Sequence, residues 1–333
     1  MKRLFVLLIL LVAVAAGIAG AARYAYRNAP LALESSPLRV RVDRGMSVAA
    51  IAEAMRKAGV GVEGWQFTLA ARLRGDAKAI KAGVYELAAP LTLAALFDRL
   101  VRGDVVLSEL VVLEGWTFRQ MRASIAAHPE LLHDSAELSD DALLRRIGAT
   151  EQHPEGLFFP STYRFSPGSS DFDVYREAYR LLKSNLDAAW QARQPDLPVA
   201  GPYQALVLAS IIEKETGRDA DRDKIAAVFV NRLRLGMMLQ SDPTIIYGLG
   251  ERFDGNLRKR DLQTDTPYNT YTRGGLPPTP ISLPGRAALQ AAVQPAPISA
   301  LYFVSRGDGS SEFSGDLGAH NRAVSRYQLK KKP

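Results

Sequence analysis

The sequence predicts an α+β protein with an N-terminal transmembrane helix, then a small α+β module, then a larger mixed α+β domain. Three observations predict it. An unbroken apolar run fills residues 4–22. Short alternating segments and helical periods then interleave over residues 38–105. Longer helical patterns, separated by Pro/Gly-rich loops, carry the chain to its end. With 333 residues, 47% of them hydrophobic, there is enough apolar material for one large or two smaller cores.

The first element is the anchor. Lys2 and Arg3 precede Leu4–Ala22, and Arg23 follows. Nineteen apolar residues reach ~28 Å as a helix, close to the ~30 Å of a hydrocarbon layer. Ala19-Gly-Ala21 also resembles a signal-peptide cleavage site, but the run exceeds the usual core of ~7–15 residues, which favours an uncleaved anchor. Flanking charges are nearly balanced, so the short tail before the span makes an N-inside orientation the simplest. Residues 1–27 form this tail and anchor, and 28–37 read as a linker.

In the module, Leu38–Val42 alternates like a strand. Ser47 caps a helix with apolar positions at Val48, Ile51, Ala52 and Met55, and Gly59 closes it. A helix from about Glu63 to Arg74, a strand at 82–87 and a helix from Leu93 to Val101 follow. Beyond residue 105, Val105–Leu113 is strand-like and leads through Glu114-Gly-Trp-Thr117 into a helix at Phe118–Ala127. A polar, acidic stretch covers His133–Asp141. Glu155–Tyr163 is aromatic-rich, and a long amphipathic helix runs from about Asp171 to Gln194. Tyr203–Thr216 is helical. Asp219 or Asp221 is placed to cap the next helix, which Gly236 closes. Gln240–Thr244 reads as a loop, as does the breaker-rich stretch Thr264–Pro284. A hairpin around Gly307-Asp-Gly309 and a helix from Leu317 to Leu329 end the chain.

Composition narrows the function. A net charge of +7 favours anionic surroundings, but no basic stripe interleaved with aromatics points to nucleic acid. The run Lys330–Lys332 reads as a solvated tail. The absence of cysteine rules out thiolate chemistry and a disulfide framework. No metal-binding triad stands out, so no metal or cofactor is expected.

Glu213 is the leading catalytic candidate. It lies near the end of a largely apolar helix, sharing a face with Leu206, Ala209 and Ser210. Burial and a helix C-terminus both disfavour its charge, and a neutral carboxyl is what protonating a glycosidic oxygen needs. The plainer reading is a helix-end glutamate paired with Lys214 or Arg218. Glu215, about 200° further round the helix, points away from it. Candidate substrate-binding residues are Tyr268, Asn269 and Tyr271 in the long loop, with Gln240, Asp242 and Thr244 before it. Such hydroxyls, amides and rings suit a sugar groove, although loops favour these residues anyway. Thr162 and Tyr163 either line a cleft or pack in the core. His320-Asn321 marks the last helix, with Asn321 a further candidate.

Together these residues resemble the endolytic murein transglycosylase family of peptidoglycan-cutting, membrane-anchored enzymes. The resemblance rests on Ala209–Thr216 (ASIIEKET), Val230–Leu233, Leu239–Thr244, Ile246–Gly248, Pro267–Tyr271, Gly275–Pro278 and His320-Asn321, in that order along the chain. It implies that Glu213 is the catalytic glutamate, that 38–105 is a LysM-like module touching glycan, and that 106–333 is the catalytic domain. It further implies a lyase that cuts glycan strands endolytically, sits in the bacterial inner membrane with its catalytic domain in the periplasm, and partners polymerase complexes. The family tends to have Asp after the proline of Pro160-Ser161-Thr-Tyr163, so any role of that aspartate has no bearer here. A muramidase would instead need a water-holding acid, with Asp242 and Asp265 as candidates. A non-catalytic glycan-binding scaffold is the third reading.

Overall fold

The computed structural model describes residues 2–329, so the predicted basic tail at 330–332 lies outside the described residues. The fold is mixed α+β, and the chain divides into two compact units. One holds the chain up to Ser108 together with Arg164–Gly168. The other holds Glu109–Tyr163 and the chain from Ser169 onward.

The first unit opens with helix α1, Lys2–Asn28. Among the described residues it is the one helix long and apolar enough to cross a membrane. The expected linker at 28–37 is hydrogen-bonded into this unit. Leu31 N donates to Leu91 O (2.7 Å), Glu34 N to Gly59 O (3.0 Å), and Ala32 O accepts from Gly61 N (2.7 Å). Strands β1 (Leu38–Val42) and β2 (Gly83–Leu87) pair antiparallel, with Val40 opposite Tyr85. Helices α2 (Val48–Lys57), α3 (Gly64–Arg74) and α4 (Leu93–Arg102) complete the unit. Ser47 caps α2 and Thr92 caps α4, each accepting from the backbone N–H three residues on. The core is aromatic and aliphatic, with Phe67 stacked on Phe97 at 4.5 Å and the Tyr85 hydroxyl satisfied by Lys81 O and Leu100 O.

After β3 (Ser108–Val111) comes α5 (Phe118–Ala126), opened by a capping box between Thr117 and Gln120. Next are β4 (Leu131–Leu132) and α6 (Asp140–Ile147), a helix that the acidic stretch did not announce. Ser139 caps α6, and Asp140 and Asp141 fill its first turn, where acids favour a helix start. Strands β5 (Thr162–Phe165) and β6 (Ser169–Ser170) lead into α7 (Asp171–Gln191). Helices α8 (Pro202–Glu215) and α9 (Asp219–Arg234) follow.

The structure corrects the capping of α9. Its N-cap is Arg218, without a side-chain cap bond, and Asp219 and Asp221 lie inside the first turn. Asp221 instead accepts from Ser311 N at 2.9 Å. It also corrects Gln240–Thr244, since α10 (Asp242–Leu249) begins there. Pro243 sits in its first turn, where a missing N–H costs nothing. A short α11 (Lys259–Gln263) precedes the long loop. Helix α12 (Arg286–Val293), unforeseen from the sequence, packs chiefly on α8 and also on α9 and α7. The hairpin β7–β8 (Tyr302–Ser305 with Ser311–Ser314) and α13 (Leu317–Val324) close the unit, and α13 widens into a π turn at Ser325–Leu329.

Candidate active site

Helix α8 is buried over all of Ala205–Ile212, so Glu213 is the first side chain to emerge from the core. One turn earlier on the same face, Ser210 is fully buried. Its hydroxyl accepts from Ile281 N (3.0 Å) and donates to Val207 O (2.7 Å), and the Ser282 hydroxyl donates to Ser210 O (3.0 Å). Gly285 N then donates to Glu213 Oε2 at 2.8 Å. This face of α8 is thus fastened to the segment 281–285 at both residues.

The turn before α5 closes over the other side. Gly115 N donates to Leu283 O (2.9 Å), Leu283 N donates to Trp116 O (2.6 Å), and Lys214 Nζ donates to Gly115 O (3.1 Å). A Cβ on Gly115 would stand 3.9 Å from Glu213 Cγ, so this turn lies directly against the glutamate. A Cβ on Gly285 would overlap the carboxyl group of Glu114. The φ of Gly285 is −77°, so glycine is needed there for space rather than for backbone freedom.

Glu213 makes no ion pair among the described residues, which sets aside the plainer pairing with Lys214 or Arg218. Burial pushes its pKa up. The Gly285 amide pulls it back, the nearby Glu114 charge raises it again, and Arg222 and Lys214 lower it. The result is a half-buried carboxyl held above the ordinary carboxylate range. Burial favours the protonated form of such a group, which can release a proton to a leaving oxygen and recover one afterwards.

Glu215 takes the other side of the helix, as a rotation of about 200° requires. It accepts from the Ser241 hydroxyl at 2.5 Å, and burial lifts its pKa to about 7. A third carboxyl, Glu155, is buried and accepts from Phe118 N at 2.9 Å. Burial raises it to about 7, against the lowering effect of the Phe118 N–H and the Tyr247 hydroxyl.

The candidate substrate-binding residues separate into groups. Asn269 is buried, and its amide donates to the carbonyls of Asp261, Leu262 and Thr264 while its oxygen accepts from Tyr271 N. Thr244 is buried and bonded to Ser241 O and Thr270 Oγ1. Both spend their polar atoms inside the protein. Tyr163 is buried, with its hydroxyl on Phe159 O, while Thr162 is exposed on β5. The exposed Gln240 accepts from Arg232 Nη1 at 3.2 Å. Asp242 accepts from the Tyr271 hydroxyl at 2.7 Å, joining those two candidates. The Tyr268 hydroxyl meets Thr279 Oγ1 at 2.9 Å, and its ring meets Tyr247 edge-on at 4.9 Å. Asn321 is exposed on α13, which packs on the β7–β8 hairpin. Asp265 is held by Arg273 at 2.7 and 2.8 Å and by the Thr272 hydroxyl, and the Arg273 hydrogen bond, aided by Thr272, lowers its pKa to about 2.

Sequence reasoning gave no role to Glu114, Glu155 or Gly285. The available signals were thin: a Glu-Gly pair before each of two aromatic segments, at 114–115 and 155–156, and the Pro284-Gly285 break. None of these reveals that Glu114 and Gly285 meet.

Comparison with known proteins identifies the family. The YceG-like family profile matches residues 40–326. A protein named endolytic murein transglycosylase from Bacillus subtilis (strain 168) is 32% identical over 308 residues, 87% of this chain and 84% of that protein. One of the same name from Streptococcus pneumoniae (strain D39) is 27% identical over 86% of this chain, which spans 58% of that longer relative. The crystal structure of a yceG-like protein from Listeria monocytogenes superposes with a TM-score of 0.55 at 28% identity, covering 86% of this chain and 98% of that one. The profile spans most of the chain, catalytic candidate included, and the protein belongs to the YceG-like family.

Proposed function

We propose that this protein is an endolytic peptidoglycan lytic transglycosylase with Glu213 as its acid and base. Glu213 donates its proton to the oxygen between N-acetylmuramic acid and N-acetylglucosamine, and that bond breaks. The carboxylate then takes the proton of the muramoyl 6-hydroxyl as O6 attacks C1 of the same sugar. A 1,6-anhydro end forms and no water is consumed. Intramolecular attack carries a high effective molarity, so no water-activating carboxylate is needed. The observation that carries this reading is a half-buried carboxyl that makes no ion pair among the described residues, raised by burial and fixed by the Gly285 amide. The names of the relatives support the substrate class.

In this reading α1 anchors the protein in the inner membrane with the catalytic unit outside the cytoplasm. Cuts near the membrane end growing glycan strands beside the polymerases, and the LysM-like region at 38–105 touches the same glycan. The hydrolase reading is less favoured because Asp242 and Asp265 are committed to Tyr271 and to Arg273. The test is digestion of purified peptidoglycan by wild type and Glu213→Gln, read by mass spectrometry. Fragments one water lighter than hydrolysis products, from wild type alone, are expected. Reducing-end fragments, or equal activity in both proteins, would overturn the reading.

A further inference from the structure

We propose that Glu114 is a second catalytic residue of this site, one whose side chain stabilises the positive charge developing on the muramoyl ring as its glycosidic bond breaks. The inference rests on the reaction proposed above and supplies the group that reaction lacks. An oxocarbenium-like transition state needs negative charge near C1, and Glu213 is becoming an anion only as its proton leaves.

Three observations carry it. Glu114 and Glu213 converge on one residue: Glu213 takes the amide of Gly285, and Glu114 fills the space a Cβ of Gly285 would occupy. Glu114 is exposed and makes no hydrogen bond or ion pair among the described residues, so its oxygens are open to a ligand. Its backbone is nonetheless fixed, because Gly115 is bonded to Leu283 and Lys214, and Phe118 N to the buried Glu155. The Glu114 charge opposes ionisation of Glu213, and a cationic transition state between them offsets that repulsion as the proton leaves. Such prepositioned charge is the usual form of electrostatic catalysis.

Glu114 forms no covalent bond and exchanges no proton with the substrate. The proton passes from Glu213 to the leaving oxygen, and the O6 proton returns to Glu213. Lys214, Arg222 and Glu114 are the charges facing Glu213, from α8, α9 and the turn before α5.

The test is steady-state kinetics of full-length wild type, Glu114→Gln and Glu114→Asp on glycan strands, with products read by mass. In Glu114→Gln, kcat should fall by about 100-fold with KM little changed and the anhydro product retained. Glu114→Asp should recover part of the loss, because it keeps the charge. Unchanged kcat in Glu114→Gln, with anhydro products from wild type, would overturn the role of Glu114 and leave the transglycosylase reading standing. A rise in KM alone would make Glu114 a binding residue and also overturn the proposal. Reducing-end products from wild type would instead overturn the reaction on which it rests.

Discussion

Glu155 makes the stability of the larger unit depend on pH in a direction opposite to ordinary acid denaturation. It is 3% exposed, and burial raises its pKa to about 7 from 4.5. Below pH 4.5 the carboxyl is protonated in both the folded and unfolded chain, and its contribution is fully present. As pH rises, the unfolded chain ionises first, so folding must hold a proton the solvent would take, and stability falls until pH passes about 7. At 1.36 kcal/mol per unit, the 2.5 units from 4.5 to about 7 amount to about 3 kcal/mol. Glu155→Gln removes the titration but keeps an oxygen that can accept from Phe118 N. The assay is urea unfolding of full-length protein in detergent, followed by Trp fluorescence in a Trp65→Phe background, so that only Trp116 and Trp190 of the larger unit report. Wild type minus Glu155→Gln should shift by about 3 kcal/mol between pH 4.5 and 7.5, with wild type relatively more stable at the acid end. Taking the difference cancels the same-signed contribution of Glu215. A difference that stays flat with pH would refute the argument that burial governs this carboxyl.

Four further outcomes follow from the same geometry. Ser210→Ala leaves the buried Ile281 N–H without its acceptor, so unfolding free energy should fall by about 1–3 kcal/mol; kcat should fall too, because segment 281–285 presents the Gly285 amide to Glu213. Asn269→Ala strips the donor from three loop carbonyls and should cost about 1–3 kcal/mol, visible as a lower urea midpoint and faster proteolytic nicking between residues 260 and 275. The pH–rate profile of wild type should show an alkaline limb above 4.5, the ordinary glutamate value, because burial raises Glu213 and the acid must be protonated to act. Glu114→Gln, which removes a neighbouring negative charge, should move that limb to lower pH.

Local chemistry is what the sequence determined by itself. The apolar run is a helix because nineteen consecutive apolar residues allow little else. Ser47 caps α2, Gly103 stops α4, and the Gly307-Asp-Gly309 turn joins β7 to β8, each through contacts a few residues apart. The opposite facings of Glu213 and Glu215 needed only the 3.6-residue repeat. Where two local signals competed, the sequence was ambiguous. Asp219 and Asp221 both suit an N-cap, yet Asp221 is drawn to Ser311, ninety residues away. Asp242-Pro243 suits a turn, yet it opens α10.

The surroundings of Glu213 belong to the tertiary structure alone. Glu114 and Gly285 are separated by 171 residues (285 − 114), and the Ser210–Ile281 bond spans 71. No periodicity encodes which residues such distant segments bring together. Burial of Asn269 and Thr244 was equally invisible, because the hydroxyls and amides that suit a sugar also suit orphan carbonyls inside a loop. A carboxyl's proton affinity depends on the water excluded around it and the charges left beside it, and both exist only once α8, α12 and the turn before α5 have packed.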